Sequence, residues 1–415
     1  MSDIRAYRAQ DIPAAPSVAR AKALWQRAAQ DVAAEIVDAS KFAELRVAWT
    51  DLVARADTPN VFMDPALVGV AADVAPQARH RTVLVWKSIG GKRLLAGSWS
   101  FAIGHPRQSL LPFSVLTAPA YDHCYLATPA IDRSFLDETL EAMLDAIADD
   151  PELPKIVALD MMGADGPTYD ALMRVLARRG SVPCLFAEAQ RPKLASDLDA
   201  KAYLEKSMSS STRKKLRQHR RKLADKGTLN TVIVTQPGAV CRALEEFLAM
   251  EASGWKGRQG TALLNSHADA AFMRGAVGAL ADAGCAAIHS LYVGGKPASM
   301  QIVVRLGGTA FTWKTTYDET LQDFSPGSLL FEDYTASFLA DDSITSVDSC
   351  AFDDSGYMAA WTERQPIADL WFDVRSGGSH EFSILSGAQT SYRGMRNLAK
   401  NGYLAWRDWQ KARAR

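Results

Sequence analysis

Apolar positions along this chain follow helical spacing in some segments and strand spacing in others, and a similar order of elements occurs twice. In the first half the pattern predicts a helix, a hairpin around Gly90-Gly91, a second helix and a buried strand, over residues 41–56, 81–104, 132–150 and 155–162. In the second half it predicts a helix, three strands, a helix and two further strands, over residues 239–255, 286–318, 325–342, 343–352 and 367–374.

The repetition favours an internal duplication. Both hairpin turns have the sequence Gly-Gly-Lys and begin at Gly90 and Gly294, which is an offset of 204 residues (294 − 90). The same offset aligns the helix around Trp49 with the helix around Met250 in sequence. A match of three small residues can arise by coincidence, but the shared order of helix, linker, hairpin, helix and strand makes duplication the better interpretation.

Composition limits the classes of protein that fit. At 415 residues the chain is long enough for two or three domains, and its 47 basic and 47 acidic residues leave no net field to attract nucleic acid or membrane. The five cysteines contain no C-x-x-C pair and the seven histidines have no metal-ligand spacing, so we expect free thiols, no metal and a cytoplasmic protein. No apolar run approaches the roughly 18 residues of a spanning helix, so we expect no integral membrane segment.

Two segments depart from this neutral balance. Eight of the fourteen residues 213–226 are Lys or Arg, and residues 391–415 contain seven Lys or Arg against one Asp. Both segments are predicted to be basic helices, and Arg375 to His380 is predicted to be a flexible joint before the second. Each basic helix is either a solvated surface or an anion-binding surface.

Four separated motifs carry a resemblance to a known family. They are "SSSTRKKLRQHRRKL" followed by Gly227 and "TVIV", "MEASGWKGRQGTAL" (250–263), "TTYDETLQDFSPGSLL" (315–330), and "VDSCAF" with Trp361. The segment from about Ala202 to Val374 resembles the GNAT acetyltransferase domain of the FemAB-type transferases and the CelD-like proteins of bacterial exopolysaccharide clusters. The first half resembles the degenerate first copy of that group, with "NVFMDPAL" (60–67) as its best local likeness.

The resemblance implies an α/β (α+β) fold of tandem GNAT-like domains, with mixed, mainly antiparallel sheets flanked by helices. The implied domains are an N-terminal arm, a degenerate GNAT-like domain, a GNAT acetyltransferase domain and a basic C-terminal helix, over residues 1–30, 31–195, 196–376 and 377–415.

The family binds the pyrophosphate of coenzyme A at a Gln/Arg-x-x-Gly-x-Gly/Ala turn that opens a helix. Residues 322–327 match this signature except that Ser325 replaces the first glycine, and Pro326 has no N–H to donate. Either a serine hydroxyl takes over the lost contact, or Ser325 only caps the helix. The resemblance implies acetyl-CoA or another acyl-CoA as co-substrate and the following residues to bind it: Gln322, Ser325, Gly327, Ser328, Leu329 and Lys314.

Acyl transfer also needs a proton acceptor and a proton donor. The candidate bases are Asp348 and Glu251, and the candidate acids are Tyr317 and Tyr357. The alternatives are that Asp348 pairs with a nearby base and that Tyr317 is an ordinary strand aromatic. The candidate acceptor-binding residues are a glycine-rich loop and one side of the first basic helix: Trp255, Lys256, Arg258, Arg213, Arg217 and Arg220.

We therefore expect an acyltransferase that moves an acyl group, acetyl in the simplest case, from acyl-CoA to an amine or hydroxyl of an acceptor. The expected acceptor is a nucleotide- or lipid-linked sugar or a related small molecule, and the expected pathway is cell-surface polysaccharide biosynthesis. One alternative is a FemAB-like aminoacyltransferase with aminoacyl-tRNA as donor. The other is a non-catalytic nucleotide- or nucleic-acid-binding protein on a transferase fold.

Overall fold

A computed structural model describes residues 31–106, 109 and 113–413 of the protein, and the expected N-terminal arm (1–30) lies outside this part. The strands are β1 Val32–Val37, β2 His80–Ile89, β3 Lys92–Gly104, β4 Val115–Ala118, β5 Ala130–Ile131, β6 Ile156–Gly163, β7 Cys184–Leu194, β8 Leu229–Val234, β9 Ala286–Val293, β10 Lys296–Leu306, β11 Thr309–Tyr317, β12 Ser346–Asp348 and β13 Glu363–Asp373.

The helices are α1 Ala39–Ala43, α2 Arg46–Arg55, α3 Pro65–Val74, α4 Leu136–Asp149, α5 Gly166–Arg178, α6 Ala200–Ser207, α7 Ser210–Ala224, α8 Pro237–Ser253, α9 Trp255–Arg258, α10 His267–Asp282, α11 Pro326–Leu339 and α12 His380–Arg413. The predicted strand over 343–352 is shorter, because Cys350 adopts a φ of 54° and turns the chain out of the sheet after Asp348. The predicted joint over 375–380 is fixed, since Arg375 and Ser379 both donate to the Asp373 carboxylate.

All the strands belong to one mixed, mainly antiparallel sheet, which confirms the predicted fold class. The strand order is β1-β2-β3-β4-β6-β13-β7-β12-β11-β10-β9-β8, with β5 on β3. Counted from either edge of the sheet, the first four strands are antiparallel to their neighbours, and the fourth strand is parallel to the fifth. These parallel pairs are β4 with β6 and β11 with β12. The order is symmetric about the β13–β7 pair, which supports the duplication inferred from the Gly-Gly-Lys turns.

The two halves exchange their last strands. Strand β7 follows α5 in the chain but pairs with β12 of the second half, where Leu194 faces Val347. Strand β13 ends the second half but pairs with β6 of the first half, where Ile367 faces Gly163. The halves therefore share one hydrogen-bonded sheet, and the boundaries between predicted domains stay a prediction.

Helices α3 and α10, one from each half, pack against each other. A Cβ added at Gly275 would lie 2.8 Å from Cγ1 of Val70, so the close approach of the two helices requires a glycine there. The segment 60–67 fixes the start of α3. Asn60 donates to the Leu126 and Thr128 carbonyls, and Asp64 accepts from the indole N–H of Trp49 at 3.0 Å.

Within the described ranges no helix is long and apolar enough to cross a membrane. The same residues contain no group of His, Cys, Asp and Glu side chains that could hold a metal ion.

Candidate active site

Strands β11 and β12 separate part of the way along their length. They pair from Thr309 to Phe311 against Ser346 to Asp348, and β11 then continues to Tyr317 while the chain turns away at Cys350. The edge of β11 beyond Phe311 is therefore not covered by β12, and its backbone groups face a gap in the sheet.

A cavity of about 340 Å³ lies at the far end of this gap. It is bounded by the end of β11, the end of α8, the short helix α9, the 3-10 helix Glu319–Phe324 and the start of α11. The sequence predicted a glycine-rich loop around Trp255, Lys256 and Arg258, and the structure places these three residues in α9. The lining residues are Glu251, Gly254, Trp255, Lys256, Thr315, Thr316, Tyr317, Glu319, Gln322, Ser325, Pro326, Gly327, Ser328 and Tyr357. The structure thus brings together candidates from two of the motifs that carry the resemblance, 250–263 and 315–330, and adds Tyr357.

Ser325 opens α11 in an unusual conformation for a residue other than glycine. Its φ is 50° and its ψ 54°, which is the left-handed region, and its side chain makes no capping hydrogen bond. Its carbonyl instead accepts from the backbone N–H groups of Ser328 and Leu329, at 3.0 and 3.1 Å. The backbone of Ser325 is therefore in the conformation that favours glycine, the residue of the family signature at this position, and the Ser325 hydroxyl is not engaged in capping the helix.

Glu251 and Lys256 form an ion pair in the cavity wall. Lys256 Nζ lies 2.7 Å from Glu251 Oε1 and 3.5 Å from the Thr315 carbonyl, while the Leu263 N–H donates to Glu251 Oε2 at 2.9 Å. The buried carboxylate thus holds α9 close to β11, and it keeps the Lys256 ammonium at the cavity.

Glu319 is a second carboxylate of the cavity. It accepts hydrogen bonds from the Arg258 guanidinium and from the Trp255 backbone N–H, and these two donors lower its pKa. Arg258 itself faces Glu319 on the exposed side, and it is not among the residues that line the cavity.

Tyr357 approaches the cavity from the segment after β12. Burial raises the pKa of its hydroxyl above the ordinary value, and hydrogen bonds with the Thr315 and Tyr334 side chains offset part of that rise. Its ring packs edge-on against Phe331, with the centroids 5.5 Å apart. The hydroxyl therefore stays protonated at neutral pH, as a proton donor requires. Tyr317, the other candidate acid, also lines the cavity.

Asp348 lies outside this cavity in a buried ion pair. Arg191 Nη1 is 3.2 Å from Asp348 Oδ2, and the Cys350 N–H donates to Asp348 Oδ1 at 2.7 Å. Asp348 lines a different cavity, of about 600 Å³, which has residues of both halves in its wall. The surroundings of Asp348 thus match the alternative given above, in which Asp348 pairs with a nearby base, here Arg191.

Lys314 and Leu329 also lie outside the lining of the first cavity. Leu329 is buried in the second-half core. Lys314 donates to the Tyr125 hydroxyl and lies 3.2 Å from His123 Nδ1, and both partners come from the first half. Burial lowers the pKa of Lys314, and it lowers the pKa of His123 to about 4.

The three candidate arginines of α7 do not line the cavity either. Arg213 pairs with Glu205 at 3.3 Å, and Arg220 pairs with Asp333 of α11 at 2.7 Å and donates to the Leu329 carbonyl. Arg217 lies close enough to Glu332 for its charge to lower that carboxyl's pKa, although burial, the larger effect, raises it. Helix α7 packs beside the 3-10 helix, so its cations lie near the cavity without entering it.

Sequence reasoning missed five residues of the lining, Gly254, Thr315, Thr316, Glu319 and Pro326. All five lie inside motifs that carried the resemblance. The available signal was their position beside candidates already chosen, and Glu319 in particular lies two residues after the candidate acid Tyr317.

Residues 210–357 match the family described as "Acetyltransferase (GNAT) domain". Among solved structures, FemX has a TM-score of 0.55 at 10% identity, covering 85% of this chain and 100% of its own. A protein of unknown function from Bacteroides thetaiotaomicron has a TM-score of 0.49 at 10% identity, covering 80% and 97%. The C-terminal domain of a putative lysylphosphatidylglycerol synthetase from Agrobacterium fabrum has a TM-score of 0.48 at 13% identity, covering 85% and 96%.

No curated protein matches the sequence. The FemX likeness confirms the fold, and the family match confirms the predicted kind of domain. The second half of this chain therefore carries a GNAT acetyltransferase domain, which belongs to a family of N-acyltransferases that use an acyl-CoA.

Proposed function

We propose that this acyltransferase moves an acyl group, acetyl in the simplest case, from acyl-CoA to an amine or hydroxyl of a sugar or related small acceptor, in the cytoplasmic steps of cell-surface polysaccharide biosynthesis. The observation that carries the proposal is the cavity between the free edge of β11 and the start of α11. The acceptor and the pathway come from the family resemblance, and the roles below follow from contacts in the cavity.

The start of α11 suits the pyrophosphate of acyl-CoA. Pro326 has no N–H, and the N–H groups of Ser328 and Leu329 donate to the Ser325 carbonyl, which leaves the Gly327 N–H for a phosphate oxygen. The helix dipole also favours an anion there. The first turn of α11 contains no acidic residue, and Ser325 and Ser328 add hydroxyls. In the first half the corresponding helix is α4, which has Asp137 and Glu138 in its first turn. These carboxylates repel a phosphate, so we assign acyl-CoA binding to the second half alone.

Glu251 is the better proton acceptor of the two cavity carboxylates. Arg258 and the Trp255 N–H lower the pKa of Glu319, which makes it the weaker base. Glu251 Oε1 accepts from Lys256 Nζ and Oε2 accepts from the Leu263 N–H, which leaves lone pairs for a further proton. The acceptor nitrogen or oxygen attacks the thioester carbon and gives its proton to Glu251.

Tyr357 supplies the proton for the leaving group. When the bond between carbon and sulfur breaks, the coenzyme A thiolate takes the proton of the Tyr357 hydroxyl, whose raised pKa keeps it available. Trp255, which is exposed at the cavity, offers a face for a sugar ring, and Lys256 meets an anionic group of the acceptor.

Acyl-CoA binding is tested with Gly327→Asp. A Cβ at Gly327 has no heavy atom closer than 4.0 Å, so the side chain fits and the substitution mainly adds negative charge at the start of α11. We expect the Kd for acetyl-CoA, measured by calorimetry, to rise about tenfold or more. The matched control is Gly238→Asp in the first turn of α8, where a Cβ also has room, and it should leave binding unchanged.

The acceptor is identified by mass spectrometry after incubation with a panel of acyl-CoA donors and sugar acceptors. A parallel incubation with charged tRNA covers the aminoacyl alternative. Absence of acyl-CoA binding by a folded protein contradicts the proposal, and so does a product labelled only from charged tRNA. A flat salt dependence of nucleic-acid binding excludes the non-catalytic alternative.

A further inference from the structure

The C-terminal helix α12 is 34 residues long, and its first part packs on the body of the protein. Phe382 and Leu385 join the cluster around Trp371, and Gln389 is fully buried. Arg393 pairs with Asp369 at 3.1 Å and lies over the Phe186 ring at 4.9 Å. These four contacts define the face of α12 that is turned toward the sheet.

A second face of α12 carries large apolar side chains that are exposed. Ile384, Met395, Leu398 and Trp406 have exposed fractions of 70%, 63%, 74% and 51%. At 3.6 residues per turn these positions fall within about 80° of one another, on a side of the helix roughly opposite the body-facing contacts. We call this row of four the apolar stripe. Scattered apolar residues at a surface are common, but a row along one helix face marks an interaction surface.

The charge of the same segment indicates what covers the stripe. Residues 391–415 contain seven Lys or Arg and one Asp, in a chain whose total net charge is zero. A partner must therefore offer an apolar layer for the stripe and negative charge beside it. Nucleic acid supplies the charge without the apolar layer, and a second copy of this helix brings the same positive charge. An anionic phospholipid surface supplies both.

We propose that α12 docks this acyltransferase on an anionic membrane surface, with the apolar stripe lying at the boundary between headgroups and acyl chains. The helix binds in the plane of the membrane, because its exposed apolar side chains lie along one face while another face packs on the body of the protein. The body of the protein sits on the opposite face of α12. This inference does not depend on the identity of the acyl acceptor.

The test is co-sedimentation of the full chain with vesicles of phosphatidylcholine, with and without phosphatidylglycerol. We expect binding to the phosphatidylglycerol vesicles at low salt, and partitioning about tenfold or more weaker to phosphatidylcholine alone or at high salt. Leu398→Glu places a charge in the stripe and should weaken partitioning by about tenfold or more. Val47→Glu is the matched control, because Val47 is 85% exposed on α2 and should leave partitioning unchanged.

Several results would overturn the proposal. The first is equal partitioning of the wild type and Leu398→Glu, and the second is no binding to anionic vesicles. A third is concentration-dependent dimerisation without lipid that Leu398→Glu abolishes, because it assigns the stripe to a second copy. A fourth is tRNA binding that competes with vesicles and is insensitive to Leu398→Glu. Acetyl-CoA binding of each variant confirms that it is folded, and the lipid and salt series on the wild type needs no variant.

Discussion

The Arg191–Asp348 pair provides a direct test of whether Asp348 acts in chemistry or in structure. The Arg191 side chain is 0% exposed, and its guanidinium donates to the Ala351 and Tyr125 carbonyls at 2.7 and 2.8 Å as well as to Asp348. These contacts join β7, β12 and the segment before β5, at the place where the two halves exchange strands. We therefore expect Asp348 to stabilise the fold without taking part in proton transfer.

The perturbation is Asp348→Asn, which keeps the shape of the side chain and removes its charge. Arg191 is then a buried cation without its counter-ion, and losing one member of a buried pair costs about 3–5 kcal/mol of unfolding free energy. Arg191→Met should cost a similar amount. Because both variants disrupt one interaction, the double variant should lose less than the sum of the two, by about 0.5–3 kcal/mol.

The assay is urea unfolding followed by circular dichroism, together with turnover measured well below the unfolding midpoint. Asp282→Asn, an exposed carboxylate at the end of α10, is the control and should change the unfolding free energy by less than about 0.5 kcal/mol. Folded Asp348→Asn protein should keep its turnover. The reasoning is refuted if Asp348→Asn unfolds like the wild type and yet loses most of its turnover, because that result would make Asp348 the catalytic base.

Three further predictions concern individual residues. Tyr357→Phe should lower kcat about 10²–10⁴-fold. The alkaline limb of the wild-type pH profile should lie above the ordinary tyrosine pKa of about 10, because burial raises the pKa of Tyr357. A limb below that value would argue against Tyr357 as the acid. Burial lowers the pKa of Lys314 in the folded state, so the folded protein loses this proton at a lower pH than the unfolded chain does. The unfolding free energy should therefore rise with pH until the pH reaches the pKa of an unfolded lysine, about 10.4. Lys314→Met should reduce this slope in urea unfolding measured across the same pH range. Ser325→Gly should raise the unfolding free energy by up to about 1 kcal/mol by relieving the left-handed backbone, whereas Ser325→Val should lower it by about 1–3 kcal/mol, and a loss with glycine would contradict the assigned strain.

Much of the candidate site could be inferred from the sequence because it is built from contiguous segments. Glu251, Trp255 and Lys256 lie in one motif, and the residues from Tyr317 to Ser328 lie in another. Their spacing relative to a predicted strand and a predicted helix depends only on the local sequence. The resemblance therefore identified these residues as one group, and they lie together at the cavity. Lys314 is the exception, since it lies only three residues before Tyr317 and yet contacts Tyr125 of the first half.

The sequence by itself determined the order and type of most elements, since apolar spacing reports which face of a helix or strand is buried. It also determined the duplication and the helix start at Ser325. Only the tertiary structure decided that β7 and β13 exchange halves, because pairing between strands some 150 residues apart leaves no local pattern. It likewise decided that Asp348 faces Arg191 and that Arg220 faces Asp333. A charged residue looks the same in sequence whether it meets a ligand or an opposite charge from a distant segment, and only the packed chain distinguishes the two.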